Sequence, residues 1–258
     1  MLFPVLIKKA FARNLQYRLS HAVNTVASVV FGLIYVSIWQ GIGQQDSMHG
    51  YSLQTVIHYV ALNQATLWVT LFTTNGLGIE RSVRTGQIAT DLMRPVHLFY
   101  QLMCREWGQI GYQLLYKTIP IYLIYIWMLS LPVPHHAGTW LAFATALAMA
   151  AYMNICVNYL IGVTALWTTE STWLFWVHNS ISSVLSGFLI PIEWLPHWLQ
   201  RIAYMTPYPY MQHIPSKIYL GLASPSEMYG GLLWCVLFTA LCLAATAIVR
   251  NKVEVQGG

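Results

Sequence analysis

Apolar runs of about twenty residues recur along this chain, and they constrain its fold more than any other feature. They fall roughly at 22–42, 53–77, 107–131, 140–167, 173–190 and 229–249. Only 8% of the residues are charged, where a soluble domain carries about 25%. The solvent for such a chain is lipid. Inside a bilayer every backbone polar group must be satisfied by the segment itself or by a closed sheet, which leaves helices or barrels. The ten-residue alternation of a barrel strand is not the pattern here. The chain is therefore predicted to be an all-α membrane protein, a single transmembrane domain over 1–258 with six transmembrane helices.

The segments between these runs carry the information about orientation. Lys8, Lys9, Arg13, Arg18, Arg81, Arg84, Arg94, Arg105, Arg250 and Lys252 fall on the side of the termini, and Arg201 and Lys217 on the other. By the positive-inside rule both termini face the cytoplasm. The net charge of +5 reflects this asymmetry, so nucleic acid is not expected as a partner. Residues 1–19 read as an amphipathic interfacial helix, with Phe3, Ile7, Phe11 and Leu15 along one stripe and Lys9, Arg13 and Gln16 opposite. No cleavable signal peptide is expected, because no short apolar core precedes a small-residue cleavage site. The link Gly43–Ser52 is polar and lacks Lys and Arg. Residues 191–227 form an outer segment, re-entrant or a cap. Trp194, Leu195, Trp198, Leu199 and Ile202 recur there at helical spacing between prolines.

The polar run at 78–97 holds three of the thirteen Lys and Arg and two of the eight Asp and Glu. Gly78–Thr85 is read as a helical continuation of the second apolar run, with Glu80 and Arg84 placed for an i,i+4 pair. Gly86 permits a bend. Gln87–Arg94 reads as a second short helix that Pro95 ends. It sets Ile88, Leu92 and Met93 on one side and Thr90, Asp91 and Arg94 on another, a pattern that suits a groove on a soluble partner. The expected docking residues are Glu80, Arg81, Arg84, Gly86, Ile88, Asp91, Leu92, Arg94 and Pro95.

Sites for chemistry are sparse. No Gly-x-x-x-x-Gly-Lys-Ser/Thr loop, Gly-x-Ser-x-Gly elbow or His-Glu-x-x-His pair is present, so neither ATP binding nor hydrolysis by those motifs is expected of this chain. His135-His136 lacks a carboxylate or thiol partner, and the four cysteines form no Cys-x-x-Cys, so no metal site is expected. Lys117 lies within the third run, where it can snorkel or face a transport path. Ala142, Ala146 and Ala150, then Asn154, Asn158 and Gly162, recur four apart in the fourth run, which serves close helix packing or lines a path. Trp173, Phe175, Trp176 and Phe188 sit among apolar neighbours that could contact substrate or lipid. Lys117, Asn154, Asn158 and Trp176 are the expected path residues.

Taken with six spans and an N-terminal amphipathic helix, the phrase Gly86-Gln-Ile-Ala-Thr-Asp-Leu-Met-Arg-Pro95 resembles the membrane permease subunit of a bacterial type-2 ABC exporter. That family has a Gly…Leu-Leu-Arg-Pro phrase in this loop; here Met93 replaces the second Leu. Pro191-Ile-Glu-Trp-Leu-Pro196 and Ile214-Pro-Ser-Lys-Ile-Tyr-Leu-Gly221 are similar to the same branch. The resemblance implies a non-catalytic half-transporter in the bacterial inner membrane. Two copies of a separate ABC ATPase would bind ATP and Mg, this chain binding no cofactor. A second permease would complete a homodimer or heterodimer, and 78–97 would be the cytoplasmic coupling segment. The second reading is an ion-coupled secondary transporter working without an ATPase; the third is a membrane-embedded enzyme or scaffold.

Overall fold

The computed structural model describes residues 2–43 and 50–256. Most of the expected polar link Gly43–Ser52 lies outside the described residues. Among those described there are helices and turns and no strand. In chain order the helices are α1 (Leu2–Asn14), α2 (Arg18–Gly43), α3 (Leu53–Thr70), α4 (Ile79–Arg84), α5 (Gln87–Met93), α6 (Leu98–Gln113), α7 (Ile119–Leu129), α8 (Ala137–Thr168), α9 (Thr172–Leu185), α10 (His197–Tyr204), α11 (His213–Tyr219) and α12 (Tyr229–Gln256).

Among the described residues three stretches are long and apolar enough to cross a bilayer: Leu19–Gly43, Ala137–Thr168 and Pro225–Val249. The expected count of six transmembrane helices is thus matched by three of the runs, and the other three are short or broken. The second was expected to reach Leu77 and to continue as a helix through Thr85. Instead α3 stops at Thr70, and Gly76, Leu77 and Gly78 all take left-handed backbone before α4 begins. The third run is a helix interrupted at Leu114–Thr118 by a π turn between α6 and α7. Pro120 explains this break: it has no N–H for the carbonyl of Tyr116, four residues earlier. The freed Tyr116 carbonyl accepts instead from the Thr25 hydroxyl of α2 at 3.5 Å. The fifth run yields α9, whose 14 residues span about 21 Å, short of the ~30 Å hydrocarbon layer.

The bundle is centred on α8, which packs against α3, α4, α6, α11 and α12. Its seam with α12 repeats at alternating three- and four-residue steps. Tyr152 meets Thr239 at 2.6 Å, the Cys242 thiol meets the Cys156 carbonyl at 3.5 Å, and Tyr159 meets Thr246 at 2.6 Å. These polar groups pair across the seam between helices that otherwise present apolar surface. On the far side α2 lies against α3 and α7, close enough that a Cβ on Gly32 would sit 1.8 Å from the Tyr125 hydroxyl.

The helix α1 is amphipathic as expected, but its apolar side is occupied by protein. Ala10 is buried and Phe11 packs edge-on against Tyr112, while a Cβ on Gly108 of α6 would lie 2.5 Å from the Ile7 carbonyl. The segment after α9 divides in two. The helix α10 stays at the surface with Trp198 64% exposed. The helix α11 and the turn before it enter between α3 and α8, where Met211 packs on Met153 at mid-length of α8. The segment after α9 is thus inserted into the bundle at α11 and superficial at α10.

Candidate functional site

The segment after α3 forms a foot of two short helices at one end of the bundle. Gly86 joins them in left-handed backbone at φ 73°, and Arg94 is extended ahead of Pro95, so both local breaks fall where the sequence puts them. The Glu80–Arg84 pair forms, with Arg84 Nη2 2.8 Å from Glu80 Oε1. The other carboxylate oxygen reaches across to the start of α9. Glu80 Oε2 accepts from the Ser171 amide at 2.8 Å, the Ser171 hydroxyl at 3.1 Å and the Thr172 hydroxyl at 2.9 Å. Arg84 Nε donates to the Thr169 carbonyl at 3.4 Å, in the turn that ends α8. The Ser171 amide above all, then the two hydroxyls and Arg84, hold the Glu80 carboxyl below its usual range against a smaller opposing effect of burial.

The ridge of α5 expected to fill a partner's groove is half-buried against the chain's own core at Ile88 and Leu92, while Met93 points away from it. Ile88 and Leu92 pack against the core cluster that holds Leu98, Phe99 and Val249. Asp91 is buried and lies 3.5 Å from Arg94 Nη2. The exposed face carries Arg81, Arg84, Gly86, Gln87, Thr90, Met93, Arg94 and Pro95, with Met93 79% exposed. The turn before α4 lies close on α8: a Cβ on Gly162 would lie 2.1 Å from the Gly76 carbonyl. No side chain larger than hydrogen fits there.

The four expected path residues are not brought together. Asn154 donates to the Leu71 carbonyl at 3.1 Å and the Thr73 hydroxyl at 3.3 Å, and Asn158 donates to Asn154 at 3.0 Å. Together they satisfy backbone left open where α3 stops, as lipid demands. Lys117 is 3% exposed and its ammonium lies 3.2 Å from the centre of the Trp68 ring, a cation–π contact. Trp176 is exposed on the outer side of α9.

A cavity of about 480 Å³ lies elsewhere, between α2, α3 and α9. Asn24, Ser28 and Phe31 line it from α2, Gln64 and Trp68 from α3, and Asn179, Ser182 and Ser183 from α9, with Phe188 beside them. Trp68 Nε1 donates to Ser28 Oγ at 2.9 Å, while the buried Ser182 hydroxyl has no hydrogen-bond partner. The lining offers aromatic faces, amides and hydroxyls, and no carboxylate, ammonium, guanidinium or imidazole. Of the residues singled out from sequence only Phe188 belongs to it. The missed signal was polar residues at helical spacing inside apolar runs: Asn24 with Ser28, and Asn179 with Ser182 and Ser183.

The family model described as ABC-2 family transporter protein matches residues 23–254, nearly the whole chain. The chain belongs to that family. No curated protein matches it. An ABC-2 family chain is the transmembrane permease component of an ABC transporter and is not itself the catalyst. Members of the family associate in general with an ABC ATPase. In this ABC-2 permease α9 touches both the foot, through Ser171 and Thr172, and the cavity, through Asn179, Ser182 and Ser183.

Proposed function

We propose that this ABC-2 permease is the membrane half of an ATP-driven exporter of the bacterial inner membrane. Two copies of a separate ATPase bind Mg-ATP, and a like or related permease completes the pathway. Both termini and the foot face the cytoplasm, in keeping with the positive-inside bias of Lys8, Lys9, Arg13, Arg81, Arg84, Arg94 and Arg105. Closure of the ATPase pair moves the foot and the helices attached to it as rigid bodies. Substrate travels from the cytoplasm or inner leaflet outward past the cavity between α2, α3 and α9. Its uncharged lining suits an amphiphile with hydroxyl or amide groups rather than an ion.

The observation that carries this reading is the exposed face of α5, with Met93 and Arg94 outermost beside Pro95, in a chain of a transporter family. A methionine flanked by an arginine is a suitable anchor for a groove on a soluble protein. Met93→Asp combined with Arg94→Glu is expected to weaken association with the ATPase by about 2 kcal/mol or more, the size of an anchor contact, while the permease still inserts. Co-purification from membranes measures it. Full retention of the ATPase by the double variant would sink the docking face.

A further inference from the structure

The start of α9 is capped from outside its own helix. Ser171 stands at the N-cap, where its carbonyl accepts from the Phe175 amide at 3.2 Å but its side chain makes no hydrogen bond to the first turn of α9. Its amide and hydroxyl, and the hydroxyl of Thr172, all go to one oxygen of Glu80. A carboxylate there also meets the positive end of the helix dipole. Arg84 holds the other Glu80 oxygen and ties it to the Thr169 carbonyl, so the foot grips the whole α8–α9 turn. Ser171 is fully buried, which removes water as a competing partner.

On its inner side α9 buries His178, Ser182 and Leu185, and Leu185 packs with Ile192, Leu195 and Ala203, while its outer side is open. Trp173, Trp176, Val177 and Ile181 are exposed along it. Farther up, His178 meets the Tyr208 hydroxyl at 3.2 Å, and at its far end Gly187 turns in left-handed backbone. The cavity wall is made by Asn179, Ser182 and Ser183, about 10 to 16 Å along the axis from Thr172. Within the foot α4 is bounded by left-handed glycines, Gly78 at φ 75° and Gly86 at φ 73°, and the turn before it bears on α8 at the Gly76–Gly162 contact.

We propose that Glu80 is the positioning residue that converts movement of the foot into displacement of the cavity wall, by carrying the N-terminus of α9 with it. The foot pivots at the Gly76–Gly162 contact, and the carboxylate transmits that rotation through three hydrogen bonds to the first turn of a helix whose outer face is exposed. The inference rests on the exporter reading above, and it adds the route by which a nucleotide-dependent change reaches substrate. A contact of this kind is a physical link between two sites, and only a coupling measurement establishes it.

The test uses the full permease–ATPase complex in lipid nanodiscs with Ser183→Cys as reporter. The four native cysteines are buried, so background labelling is low. The labelling rate with a small maleimide is compared with and without a non-hydrolysable ATP analogue and Mg, on complexes normalised for bound ATPase. The nucleotide-dependent change is expected to be about tenfold smaller in Glu80→Ala, the size of one charge-assisted hydrogen bond, and partly restored in Glu80→Gln, which still accepts from the Ser171 amide. Should Glu80→Ala fail to insert, Thr172→Val removes one of the three donors and is expected to give an intermediate loss. A full nucleotide-dependent change in Glu80→Ala, or in Thr172→Val where Glu80→Ala does not insert, overturns the proposal. An equal loss in Glu80→Ala and Glu80→Gln does so as well, since it would mean that acceptor geometry is irrelevant. If the chain with native Glu80 binds no ATPase, the exporter reading fails instead.

Discussion

Two polar regions interrupt this apolar bundle, the foot at 79–95 and the cap at 186–221, and they are secured in opposite ways. The cap is tied inward by a buried network. Tyr59 donates to the Gly187 carbonyl at 2.6 Å, Asn63 donates to the same carbonyl at 3.1 Å, Gln212 donates to the Asn63 carbonyl at 2.8 Å and accepts from Thr70 at 2.7 Å, and Ser216 donates to the Asn63 side chain. Lys217 holds Glu193 at 2.7 Å near the surface of the same region. The foot has one carboxylate clamp and a backbone pivot, with most of α5 in water. A network of many satisfied polar groups out of water rigidifies its region. Two short helices with an open outer face, packed only on their inner side and joined to α9 by one carboxylate, keep more freedom to move. The cap is thus held to α3 by many polar contacts, and the foot to the start of α9 by few.

The sharpest way to break this comparison is at the pivot. Gly162→Ala places a methyl against the Gly76 carbonyl and should destabilise the protein by about 3 kcal/mol, the upper range for overpacking, as measured by thermal unfolding in detergent. Wild-type stability in that variant would mean that the foot is not seated on α8. Next in size, Asn63→Leu strips partners from Gly187, Ser216 and the α3–cap contact, and should cost about 2 kcal/mol for buried groups left unpaired. The same assay should find the cap loosened, seen as faster proteolysis between α10 and α11, with ATPase association retained.

The two faces of α5 offer a finer test. Ile88→Ala removes packing against the core and should cost about 2 kcal/mol. Met93→Ala removes an exposed side chain and should stay within about 0.5 kcal/mol in stability. Equal effects at the two positions would contradict the inward face.

Acid offers the smallest effect and separates the two carboxylates. Glu80 is held below the usual carboxylate range, so its stabilisation is complete above the ordinary pKa and is lost as pH falls through the lowered one. For Glu193 burial pushes the carboxyl up, but the His213 contact and the Lys217 ammonium outweigh it, so its contribution persists further into acid. Wild type and Glu80→Gln should therefore differ in unfolding temperature near neutral pH and converge as pH drops below about 4, the ordinary carboxylate range. A difference that does not shrink in acid would show that the charge of Glu80 plays no part.

How much of this could be read from the chain depends on the range of the interaction. The Glu80–Arg84 pair, the bend at Gly86 and the stop at Pro95 were legible, because each depends on residues within four positions of one another. The helix period also grouped Ile88 with Leu92 correctly. It did not reveal what covers them, since a shared face says nothing of whether that face meets a partner or the chain's own core. The same limit hid the contacts of Asn154 and Asn158, which were expected along a path. Their spacing places them on α8, but their use follows from α3 ending at Thr70, which an unbroken apolar run through Leu77 conceals.

By itself the sequence determined the solvent and the element type: apolar runs with few charges must bury their backbone bonds in helices, whatever the arrangement. It also determined where helices bend, since glycine and proline act on their own dihedral angles. Tertiary structure alone decided which polar groups meet. Glu80 and Ser171 stand 91 residues apart, and nothing in either stretch names the other. Their hydrogen bonds exist because α8 brings the end of its own turn beside the foot, in surroundings where an unpaired amide would be costly.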